Sequence, residues 1–165
     1  MGNHTVEITF EPNHYVITTS QSGFGTVSEG VEFDYDPDRT YVFTATPDAG
    51  YRISRITRNN VDLVIENPEA EYTETLTNIL SDYNYEVVFT PNIFTVTAAE
   101  VENGTITPAG TTNYQYGQDA AYEINADQGY YITSLTVDGV EMAYAQQEPQ
   151  TTITYTFENI AADHT

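Results

Sequence analysis

The chain has 165 residues and a formal net charge of −21, with 25 acidic residues against four arginines (Arg39, Arg52, Arg55 and Arg58), no lysine and no cysteine. Such a field repels phosphate backbones and anionic lipid surfaces, and the missing thiol and amine remove disulfides, thiolate metal sites, a cysteine nucleophile and Schiff-base chemistry. Aromatics at 13%, interleaved with Val, Ile and Thr, exclude a disordered acidic tail and favour pleated, half-buried strands.

Residues 1–12 are expected to carry a surplus strand of donor type, with Val6, Ile8 and Phe10 on its apolar face, followed by the stiff linker Glu11-Pro12-Asn13. Residues 13–91 form a first β-repeat. Within it, Asp34-Tyr35-Asp36-Pro37-Asp38 sets carboxylates at alternating positions, which makes Asp34, Asp36 and Asp38 candidate Ca²⁺ ligands. The stretch lacks the glycine and distal glutamate of a helix-loop-helix calcium site, so a solvated acidic turn competes with that reading and no cofactor is expected. Asn59-Asn60 suits a tight hairpin turn, and Tyr85 to Phe89 forms a closing strand before Thr90-Pro91-Asn92.

Residues 92–165 form a second repeat whose strands are predicted at Phe94 to Ala99, Thr105 to Thr107, Thr111 to Tyr116, Ala120 to Ala126, Tyr130 to Val137, Val140 to Ala145 and Thr151 to Glu158. Every break carries turn chemistry, and Asp138-Gly139 between two apolar runs is a two-residue hairpin signal. Strict alternation turns Ile153, Tyr155 and Phe157 inward. No segment has helical periodicity, and none approaches the roughly 20 apolar residues of a membrane span, so membrane insertion is not expected.

Shifting the chain by 79 positions lays His4 to Leu63 on the second half without a gap: Gly25-Thr26 falls on Gly104-Thr105, Tyr35 on Tyr114, and Gly50-Tyr51 on Gly129-Tyr130. Two extra residues in the Gln146 to Gln150 loop then bring Asn78-Ile79 onto Asn159-Ile160. The fold class expected is all-β: two tandem small β-sandwich-like domains, with a β-grasp-like repeat as the alternative, plus the extra N-terminal strand.

The second copy, through Phe94-Thr95-Val96-Thr97, Asn103-Gly104-Thr105-Ile106-Thr107-Pro108, Asp127-Gln128-Gly129-Tyr130 and Val137-Asp138-Gly139-Val140, resembles the divergent internalin-B-type B-repeat of bacterial surface proteins. Its ending, Tyr155-Thr156-Phe157-Glu158-Asn159-Ile160 and Ala162-Asp163-His164-Thr165, is similar to that family's closing motif. The resemblance implies a secreted or surface-anchored protein whose repeats serve as spacers, stalks or adhesive modules. It carries over no catalytic residues, and no enzyme is expected.

In that family the closing motif runs into one more strand, which the first copy has as Tyr85 to Phe89 and the second copy lacks; His4 to Asn13 maps onto Tyr83 to Asn92 by the same shift. Three outcomes follow. The arm of one copy completes the next copy's second repeat, with Val6, Ile8 and Phe10 as donor and Phe94, Val96, Tyr155 and Phe157 as acceptor candidates; or the arm folds back within its own chain; or the chain is a piece of a longer array. The expected partners are copies of the same chain, with glycans or a host surface as the alternative through aromatic faces such as Tyr114, Tyr116, Tyr130 and Tyr131.

Overall fold

The computed structural model describes residues 4–142 and 149–165, and the chain divides into two units, Met1–Thr90 and Pro91–Thr165. Among the described residues every regular element is a strand.

In the first unit the strands are β1 (His14–Ser22), β2 (Gly25–Val27), β3 (Val31–Asp34), β4 (Thr40–Pro47), β5 (Tyr51–Arg58), β6 (Val61–Asp62), β7 (Tyr72–Thr77) and β8 (Tyr83–Pro91). They build a five-stranded sheet of order β3-β1-β8-β5-β6 and a three-stranded sheet of order β2-β4-β7. The closing strand β8 lies in the middle of the larger sheet, parallel to β1 from Ile17↔Tyr83 to Ser22↔Val88. Its alternation turns Tyr85, Val87 and Phe89 into a core with Ile17, Phe43, Ile53, Ile56 and Ile79. Tyr85 stacks on Phe43 with ring centroids 4.0 Å apart.

The second unit has β9 (Ile93–Ala98), β10 (Gly104–Thr107), β11 (Gly110–Gln115), β12 (Ala120–Ala126), β13 (Thr136–Val137), β14 (Val140–Glu141) and β15 (Thr152–Phe157). The smaller sheet is repeated as β10-β12-β15, but the larger one is present as two separate ribbons, β11-β9 and β13-β14. Its counterpart of β8 is reduced to one bridge, Val96↔His164, which matches Ile17↔Tyr83.

Two sequence expectations are corrected here. The strand predicted over Tyr130 to Val137 is reduced to β13 and an isolated bridge, Ile132↔Gln150, although its first-unit counterpart β5 is continuous. Local composition favours a strand in both, but β5 is laddered to β8 and its counterpart has no such neighbour, so the extended conformation is not held. For the same reason Val6 to Phe10 forms no strand: among the described residues His4 to Pro12 has no ladder partner, and pairing begins at the Asn13 carbonyl and His14. The strand predicted over Val140 to Ala145, and the Gln146 to Gln150 loop, lie partly outside the described residues.

The gap-free repeat is also corrected. The Tyr35 N–H donates to the Asn13 carbonyl at 2.7 Å, and in the second unit it is the Tyr116 N–H that donates to the Asn92 carbonyl, at 2.8 Å. Tyr35 therefore matches Tyr116, while Tyr114, opposite Phe94, takes the place of Phe33, opposite Tyr15. A two-residue shift keeps every side chain on its face, so alternation alone does not reveal it.

The core of the first unit depends on close backbone approach at Gly25, where an added Cβ would stand 2.6 Å from Cζ of Phe89. Gly25→Ala is expected to destabilise this unit by roughly 1–3 kcal/mol through overpacking. A urea titration reporting on the first unit checks it, and an unchanged midpoint would refute the packing account.

Candidate functional site

The inward residues of the second unit repeat those of the first: Val96 for Ile17, Tyr122 for Phe43, Ile124 for Ala45, Leu135 for Ile56, Phe157 for Leu76 and Ile160 for Ile79. Ala45 and Ile56 are fully buried, whereas Ile124 and Leu135 are only half-buried. The difference lies in the three side chains that β8 contributes to the first core. Where they would stand, the second unit has a cavity of about 400 Å³ walled by Val96, Ile106, Tyr122, Leu135, Tyr155 and Phe157. A further depression of about 310 Å³ by Val101, Gly104 and Ile106 lies where the first unit holds the Phe89 ring over Gly25.

At the mouth of this groove His164 and Thr165 run beside β9 and the Asp138 turn. The His164 N–H donates to the Thr95 carbonyl at 2.8 Å, and the Thr97 N–H to the His164 carbonyl at 2.9 Å. On the other side the Asp138 N–H donates to the Thr165 carbonyl at 2.8 Å, as the Asn59 N–H does to the Asn84 carbonyl at 2.9 Å. The Thr165 N–H donates to Oδ1 of Asp138 at 2.8 Å, and Nδ1 of His164 lies 2.7 Å from Oδ2 of the same carboxylate. These hydrogen bonds, first that of His164 and then that of Thr165, hold the Asp138 carboxyl below its usual range. Burial first, and then the hydrogen bond shared with Tyr114, push the Tyr122 phenol in the wall up to about 12.

Of the predicted acceptor residues, Val96, Tyr155 and Phe157 line the groove together, while Phe94 packs beside it against the small core. The predicted donor residues stand in solvent: Val6 is 83%, Ile8 68% and Phe10 88% exposed, whereas Tyr85, Val87 and Phe89 at the same repeat positions are 0%, 2% and 3% exposed. Sequence reading missed Tyr122, Ile124, Leu135, Val137 and the Asp138–His164 latch. Carrying the inward positions of the first copy across the repeat would have named the wall residues.

The acidic stretch is dispersed. Asp34 lies 3.1 Å from Nδ1 of His14, and Asp36 accepts the Asp38 N–H at 3.0 Å, closing a turn. Among the described residues no group of three or more His, Asp or Glu is placed to hold a metal ion. Tyr114 is half-buried and bonded to Tyr122, whereas Tyr130 and Tyr131 are exposed.

A family model described as the divergent InlB B-repeat domain matches residues 15–92 and 94–161. No curated protein and no solved structure matches the chain. Among the described residues no helix is long and apolar enough to cross a membrane.

The latch has a definite pH dependence. Because the folded carboxyl of Asp138 is depressed from 3.8, its contribution is fully present above that value and is lost as pH falls below it, through the folded value. The Thr165 amide resonance should shift in that acid window, and Asp138→Asn should abolish the titration. An amide unmoved between about pH 6 and 2 would refute the latch.

Proposed function

Because the chain belongs to the divergent InlB B-repeat family, in two tandem copies, we propose that it is a structural subunit of an extracellular bacterial filament or stalk, in which the arm of one copy fills the second-unit groove of the next. Its role on this reading is architectural, with no catalytic step. The observation that carries it is the correspondence between arm and groove: Val6, Ile8 and Phe10 fall at the repeat positions of Tyr85, Val87 and Phe89, and they are exposed in a chain whose second core is open at those positions.

Entering strand residues would continue the parallel ladder that His164 begins on β9, and would give the frayed Tyr130 to Val137 stretch the neighbour that β8 gives β5. Burial of three such side chains contributes roughly 5–8 kcal/mol before ordering costs, and ladder hydrogen bonds fix the register. Closure within one chain would require the arm to leave the short Pro12 linker and reach the other unit. The donation reading instead copies the Thr90-Pro91-Asn92 junction at Glu11-Pro12-Asn13. A contact of this kind is head to tail, so it propagates.

A second reading, a glycan-binding surface module, rests on the exposed rings of Tyr130 and Tyr131. A glycan array with the wild-type chain and a Tyr130→Ala/Tyr131→Ala variant tests it, and uniform silence removes it.

Sedimentation velocity over a concentration series decides the main reading. The wild-type chain should form a growing series of species above 18.4 kDa, and Ile8→Asp, which would bury a carboxylate in the groove, should remain a monomer. A concentration-independent 18.4 kDa particle, or undiminished assembly of Ile8→Asp, overturns strand donation.

A further inference from the structure

The first unit closes its core with a polar lock that the second unit does not repeat. Tyr85 is fully buried and its hydroxyl donates to Oε2 of Glu74 at 2.6 Å, while Oε1 of Glu74 accepts from Nη1 of Arg58. The register places Glu74 opposite Phe43 on β4, and at the same position of the second unit Tyr155 stands opposite Tyr122 on β12. The matching turn hydrogen bonds of Asn59 and Asp138 place Val137 where Arg58 stands. At the third position, that of Tyr85, the arm carries Val6. All three members of the lock thus differ together: Tyr, Glu and Arg in the first unit against Val, Tyr and Val for arm and groove.

Resting on the reading of the arm as donor, we infer that these two trios determine strand choice: the second-unit groove selects a strand with a small apolar residue at the Val6 position and rejects one bearing tyrosine there, while the first unit requires the tyrosine. The reasons are volume and polarity. Tyr155, packed edge-on against Phe157 at 4.9 Å, puts an aromatic ring in the wall where the first unit has Glu74, which leaves less room for a ring on the entering strand. A phenol entering at the Val6 position meets no carboxylate at the Glu74 position, and a buried hydroxyl without its partner weakens binding. In the first unit a valine would leave Glu74 and Arg58 without the phenol that Glu74 binds. Arms are therefore directed to second-unit grooves and not to the seat of β8, which gives the assembly one polarity and prevents exchange at first units.

The test compares three full-length chains by sedimentation velocity over a concentration series, with circular dichroism as a fold control: wild type, Val6→Tyr, and Val6→Tyr combined with Val137→Arg and Tyr155→Glu. Val6 is 83% exposed and belongs to neither core, so Val6→Tyr leaves both units intact. It should raise the concentration of half-assembly roughly 10- to 100-fold, and the triple variant should recover most of that loss. Assembly of Val6→Tyr equal to wild type overturns the selection while leaving strand donation standing, whereas a wild-type chain that does not assemble overturns strand donation and the selection with it. Should the triple variant lose its fold, the Val6→Tyr chain alone decides the matter.

Discussion

A strand in the middle of a sheet is held from both sides, and everything distinctive about this chain follows from that constraint acting on β8. In the first unit β8 satisfies β1 on one edge and β5 on the other, and its alternate side chains complete a core with the smaller sheet. One strand therefore fixes the continuity of five and the burial of the residues beneath it. The second unit shows what its reduction does: β9 and β13 fall into separate ribbons, Ile124 and Leu135 become half-exposed, and Tyr130 to Leu135 loses regular pairing.

The duplication and the all-β class were legible because they rest on residue types at fixed spacing: turn glycines, Asn-Gly and Asp-Gly pairs, and alternation. Register and pairing were less so. The two-residue displacement between β3 and β11 is silent to alternation, since Tyr114 and Tyr116 face the same way. The predicted strand from Tyr130 failed for another reason, because its propensity is real but a ladder partner decides whether propensity is realised. Glu74 carried an unused signal: it sits between Tyr72 and Leu76 on the inward phase of β7, where a carboxylate needs a partner, and it has two in Tyr85 and Arg58.

The groove is prepared as well as open. His164 and Thr165 already follow the path of Tyr83 and Asn84, tied to β9 by backbone hydrogen bonds and to the Asp138 turn by a carboxylate that receives both the Thr165 amide and the His164 ring. The His164 ring also packs on Phe157 at 4.7 Å, which links the latch to the groove wall. On the donation reading, a strand arriving there would meet edges whose direction and phase are set, so less ordering would remain to be done on binding than for a flexible surface.

On the donation reading, charge bears on which contacts between copies could persist. At a net charge of −21 two copies repel over distances comparable to the Debye length, about 8 Å at physiological ionic strength. Exposed edges such as β3, with Glu32 and Asp34, carry that repulsion directly and are poor sites for lateral pairing. The walls of the groove are mostly apolar, and the Val6, Ile8 and Phe10 face of the arm is apolar as well, its acidic residues Glu7 and Glu11 lying out of phase with it. The repulsion is long in range and screened by salt, whereas apolar burial in the groove is short in range and insensitive to screening. On the donation reading, the two together leave one attractive geometry between copies, end to end, and oppose the side-by-side association to which strand-rich repeats are prone.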